Sequence, residues 1–97
     1  MERYHVHVVS KAWPEPFDLL VPFNPTALVA DLVQEVVQRV KRYGTRSISD
    51  DATFDVHLSS ILGPMLDAGD MLSDTLLGEQ VVIEVQEKLM VRFFINV

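Results

Sequence analysis

The chain has 97 residues, 48% of them hydrophobic and 23% charged, with no cysteine and a net charge of −6. That is the composition of one globular domain, and it excludes a disordered or collagen-like chain. Lack of cysteine rules out disulfide frameworks, thiolate zinc sites and thiol catalysis and fits an intracellular, cytoplasmic or nuclear setting, while the acid excess argues against nucleic-acid backbone binding.

Residues 1–4 lack the basic-then-apolar pattern of a secretory signal. Residues 4–9 alternate: Tyr4, Val6 and Val8 point one way, His5, His7 and Val9 the other, as in a half-buried strand. Pro14 and Pro16 remove backbone donors, so residues 10–16, with Trp13 among them, form a loop. Residues 17–23 read as a second strand, with Phe17, Leu19 and Val21 on one face. Strand, short loop and strand predict an antiparallel hairpin.

Asn24-Pro25-Thr26 is a helix-start signal, with Asn24 or Thr26 as the expected cap. Leu28, Val29, Leu32, Val33, Val36, Val37 and Val40 then form a helical apolar stripe, closed by Tyr43 and Gly44. Acidic residues sit early and basic ones late, in accord with the helix dipole, and Glu35 and Arg39 form an i,i+4 pair. Valine lowers intrinsic helix propensity, but tertiary packing supplies most helical stability.

Residues 45–53 read as a polar loop. Phe54, Val56 and Leu58 alternate with Asp55 and His57 as a third strand, and Gly63-Pro64 marks a turn. Met65-Leu66 is expected as a short edge strand, residues 67–78 as a leucine-bearing turn, and Val81, Ile83 and Val85 as the inward set of a final strand. Residues 1–88 thus form the domain. Residues 89–97, LMVRFFINV, are an apolar tail: either an extra strand or a truncated link to a downstream region. The tail falls short of the ~18 apolar residues that span a bilayer, as does every other run, so no membrane partner is expected. From Asp50 to Glu87 there are nine acidic residues and no Lys or Arg, either a solvated surface or one that steers basic partners.

Hairpin, helix, strand, short strand, strand resembles the ubiquitin-like β-grasp fold. The most specific stretch is Leu66-Asp67-Ala68-Gly69-Asp70-Met71-Leu72-Ser73-Asp74-Thr75-Leu76, which is similar to ubiquitin's leucine, acidic glycine turn and leucine-serine-aspartate. Leu66 and Leu72 are then expected to plug one end of the core, and Ser73 or Asp74 to cap a short helical turn. The resemblance implies an α+β fold, a mixed four- to five-stranded sheet with one long helix packed across one face. It departs from ubiquitin in having no Gly-Gly and only Lys11, Lys41 and Lys88, so conjugation as a modifier is not expected. By register, ubiquitin's apolar partner-binding positions fall near His57 and Gln86, neither aliphatic, which puts recognition by ordinary ubiquitin receptors in doubt. What remains implied is a non-enzymatic protein–protein interaction module, the N-terminal domain of a larger intracellular protein.

The grasp order pairs strand one with the last strand and the last with strand three. His5, His7 and His57 then share the face turned away from the helix, with Glu84 between them, and Val82 beside Glu84. These five residues and Trp13 are the candidate protein-binding residues, tryptophan being common at binding hot spots. Simpler readings are a polar sheet face and a loop tryptophan folded on the core edge. A second reading pairs an acidic cluster, Asp67, Asp70 and Asp74, with a basic partner domain. A third makes the protein a small metal-binding accessory protein using the histidines. No metal ligand set, cofactor or small-molecule substrate is assigned. Ser59, Ser60 and Ser73 lack a nucleophile motif, and no glycine-rich phosphate loop occurs, so no enzymatic activity is expected.

Overall fold

Side-chain alternation decides which face of each strand meets the helix. The computed structural model describes residues 1–75 and 78–87. Its elements are β1 (Glu2–Ser10), β2 (Phe17–Phe23), α1 (Val29–Tyr43), β3 (Thr53–Leu58), α2 (Leu72–Thr75) and β4 (Val81–Gln86). Tyr4, Val6 and Val8, Leu19 and Val21, Val56, and Val81, Ile83 and Val85 are buried on one face of the strands. They join Val29, Leu32, Val36 and Val40 of α1 in one core.

The sheet runs β2-β1-β4-β3. β1 is antiparallel to β2 and parallel to β4, and β3 is antiparallel to β4. This is the grasp order, a mixed four-stranded sheet with a 15-residue helix across one face. The expected fifth strand at Met65-Leu66 is reduced to one bridge, His57↔Met65. Pro64 precedes it and cannot donate to a ladder. No described helix is long and apolar enough to cross a membrane.

The helix start differs from expectation. Asn24 and Thr26 do not cap α1; Asn24 Oδ1 accepts the Thr26 amide at 3.0 Å, holding a turn over residues 24–27 ahead of the N-cap. The N-cap is Leu28, which has no side-chain acceptor. The exposed amides of the first turn are met by tertiary partners instead. Val29 N–H donates to the Asp70 carbonyl at 2.9 Å and Ala30 N–H to that of Ala68 at 3.0 Å. Asp31 reaches back to accept the Leu28 amide at 3.2 Å. At the other end Gly44 stops the helix at φ 74°, a left-handed conformation that glycine adopts without strain. The expected Glu35–Arg39 pair forms at 2.7 Å.

The ubiquitin-like stretch therefore plugs the core and also caps the helix. Leu72 is fully buried and Leu66 packs against the core. Ser73 and Asp74 lie inside α2 rather than capping it. In the loop read as polar, Ile48 is buried and closes the other end of the core. The apolar tail 89–97 lies outside the described residues.

Candidate functional site

The outer sheet face is built by the residues that alternate with the core set. Register places Asp18 opposite His7, His7 opposite Val82, and Val82 opposite His57. One row, Asp18–His7–Val82–His57, thus crosses all four strands. In the next row Val9 and Asp55 flank Glu84. Both described helices bury their apolar residues in the inward core, and neither covers this row.

The three histidines do not converge around Glu84. His7 and His57 are two strands apart, about 10 Å at the backbone given the usual strand spacing. The three fall into two separate groups, His5 and His7 on Asp18 and His57 on Glu84. His7 Nδ1 lies 2.5 Å from Asp18 Oδ1, and His5 Nε2 lies 3.6 Å from the same oxygen. The hydrogen bond from His7, then the charges of His7 and His5, hold the Asp18 carboxyl below the ordinary carboxylate value against partial desolvation. Asp18 is the residue that sequence reasoning missed. Its place on the outer face followed from Phe17, Leu19 and Val21 facing inward, but its partner required the hairpin register.

His57 is held differently. Its Nδ1 donates to the Gly63 carbonyl at 3.1 Å, which turns Nε2 toward Glu84 Oε1 at 3.9 Å. Gly63 is required there, because a Cβ would fall 1.9 Å from the Leu58 carbonyl oxygen. Asp55 accepts from the Gln86 side-chain amide at 3.2 Å, so the facing carboxylates Asp55 and Glu84 each have a separate polar neighbour.

Val82, at the centre of the row, is only 2% exposed although it faces away from the helix. The residue 59–61 segment folds up beside it, and Ser59 adopts φ 72° to make the bend. Val82, Val9, His7 and Ile61 line a depression of about 250 Å³. Val82 is thus a floor more than a contact point. Its rim carries the exposed apolar side chain of Ile61. Leu20, on β2, is 62% exposed on the same face.

The remaining candidates lie elsewhere. Trp13 is half-buried against the core and its Nε1 donates to the Ser47 carbonyl at 3.1 Å. The Arg46 guanidinium sits 5.8 Å from its ring and 5.6 Å from that of Phe17. Asp67 and Asp70 lie in the turn that packs against the start of α1, and Asp74 lies in α2. Asp67 is engaged within the turn, its Oδ1 accepting the Gly69 amide at 2.9 Å. Among the described residues no three His, Asp or Glu side chains are placed to hold a metal ion.

No protein-family model and no curated protein matches the chain. Solved structures do. A chain of the toluene 4-monooxygenase HD complex with the inhibitor 4-bromobenzoate superposes at TM-score 0.58 with 13% identity, over 89% of this chain and 100% of that one. A chain of the structure "Molecular Mimicry of SUMO promotes DNA repair" gives TM-score 0.53 with 20% identity, over 90% of this chain and 94% of that one. The EccD5 ubiquitin-like domain from Mycobacterium xenopi gives 0.52 with 14% identity, over 91% and 99%. At such identities the likeness is one of fold. With the strand order and the helix across one sheet face, it establishes that this chain has the ubiquitin-like β-grasp fold.

Proposed function

We propose that this domain is a non-catalytic protein-binding module that presents its outer sheet face to a partner protein. The observation that carries the reading is the four-strand row itself: an apolar depression over Val82, flanked by the Asp18–His7 pair on one side and the His57–Glu84 pair on the other. A partner suited to it places an aliphatic side chain over Val82 and Val9 and polar or cationic groups toward Asp18 and Glu84. Recognition of this kind pairs a desolvated apolar anchor with a polar rim. The neighbouring folds fit this reading, since their names place one in an enzyme complex and one in mimicry of SUMO.

Site-specific photocrosslinking tests it. A benzophenone side chain replaces Leu20 or Ile61 on the outer face, Gln38 on the helix, or Asp70 on the acidic turn, in cells that express the protein. A discrete crosslinked protein from the Leu20 and Ile61 positions, and none from Gln38 or Asp70, is the expected result. Crosslinks arising at Asp70 alone shift the binding surface to the acidic cluster and overturn the proposal, as does the absence of any adduct from the outer face.

A further inference from the structure

The opposite face of the sheet carries a second feature that the outer-face reading does not use. Between α1 and the β3 edge runs an apolar groove of about 490 Å³. Val29 and Val56 form its floor, and Val33, Val37, Phe54 and Leu66 form walls that are only partly buried. The apolar stripe of α1 is wider than the sheet beneath it, so Val33 and Val37, one turn apart, are left without full cover.

The course of the chain indicates what fills it. β4 ends with Gln86 paired to Thr53, the residue before Phe54. Glu87 Oε1 then accepts the Ser49 amide at 3.4 Å, which holds the chain beside the start of β3. The polypeptide therefore leaves the sheet at the Phe54 end of the groove. β3 is the edge of the sheet, and residues 64–66 cover only its far half, through Leu66 N–H to the Val56 carbonyl and Leu58 N–H to that of Pro64. After Lys88 the sequence continues as Leu89-Met90-Val91-Arg92-Phe93-Phe94-Ile95-Asn96-Val97, apolar except for Arg92 and Asn96. Nine extended residues reach about 30 Å. The groove follows α1 from Val29 to Gln38, a rise of about 14 Å. Reach, exit point and chemistry agree.

We propose that the groove is a docking site for the chain's own residues 89–97, with Phe93 and Phe94 seated against Val33, Val37 and Leu66. A segment tethered directly to β4 meets the groove at an effective concentration in the millimolar range, which favours it over a separate chain of the same composition. Docking covers the exposed walls and the tail together, and leaves the outer face free.

The absence of cysteine makes the test clean. In the full 97-residue chain, Asn96→Cys takes a nitroxide spin label, and methyl resonances of Val33, Val37 and Leu66 are followed by NMR. The expected result is loss of most of their intensity, unchanged on dilution. In the same labelled chain, Phe93→Ser with Phe94→Ser restores that intensity while the sheet resonances stay in place. The proposal is overturned if the groove methyls keep their intensity, if the loss falls on other residues, or if the double substitution leaves the loss unchanged. It is equally overturned if the loss appears in a mixture of labelled unenriched chain and unlabelled enriched chain, which places the tail on a second copy.

Discussion

The two faces of the sheet come from the same four strands, yet they are held by different physics. On the inward face each buried position is aliphatic or aromatic and packs against α1, so its stability comes from area removed from water. On the outer face Val82 is buried beside the Ser59 bend, and the row on either side of it carries ionisable groups tied in pairs. Aliphatic packing makes the inward face insensitive to pH and sensitive to volume. On the outer face the Asp18 carboxylate is mostly exposed, so water screens its pairing with His7, whereas His57 and Glu84 are largely buried.

The comparison can be broken by substitutions of graded effect. Leu72→Ala, at a fully buried plug of the inward core, is expected to lower the free energy of unfolding by about 2–5 kcal/mol, read by urea denaturation. A loss below the lower figure means that the turn against α1 does not close the core. Gly63→Ala comes next, at about 1–3 kcal/mol, because the added methyl meets the Leu58 carbonyl and the bend must shift. The same change releases His57, so its ring resonances move; a variant with unshifted His57 signals contradicts the locking role. Val82→Ala removes two methyl groups from a buried site on the outer face, and about 1–2 kcal/mol is expected. If it costs no more than a surface substitution, Val82 is not packed as the floor of the depression.

The smallest effect belongs to Asp18. Its carboxyl is lowered in the folded chain by the hydrogen bond from His7, so its stabilising contribution is present above the unfolded-state value and is lost as pH falls through the folded one. At 59% side-chain exposure the contribution is heavily screened. Asp18→Asn is expected to lower the neutral-pH midpoint slightly, to leave stability below the folded carboxylate value unchanged, and so to flatten the acid side of the stability curve by that same small amount. An acid limb identical to the parent's removes the pair from the account.

How much of this could be read from the residues varies by element. The helix stripe, the Gly44 stop, the Glu35–Arg39 pair and the inward strand positions were all legible, because each rests on a period or on neighbours a few residues apart. The expectation that Asn24 or Thr26 caps α1 failed because the amides found carbonyls at Ala68 and Asp70, some forty residues away in sequence. The burial of Ile48 is not legible in residues 45–53, since one apolar residue among polar ones carries no period. Alternation puts the histidines on the outer face, but the partition into His5–His7–Asp18 and His57–Glu84 depends on which residues stand opposite one another across the strands.

The sequence by itself determined the strand and helix periods and, through them, which side chains turn inward. It also carried the short leucine-and-aspartate motif that points to the grasp fold. Tertiary structure alone decided the row Asp18–His7–Val82–His57, the burial of Val82, the capping of α1 by a distant turn, and the groove between helix and edge strand. The reason is physical: a period is a property of consecutive backbone dihedrals, whereas register, capping by remote carbonyls and uncovered area exist only once separate segments pack.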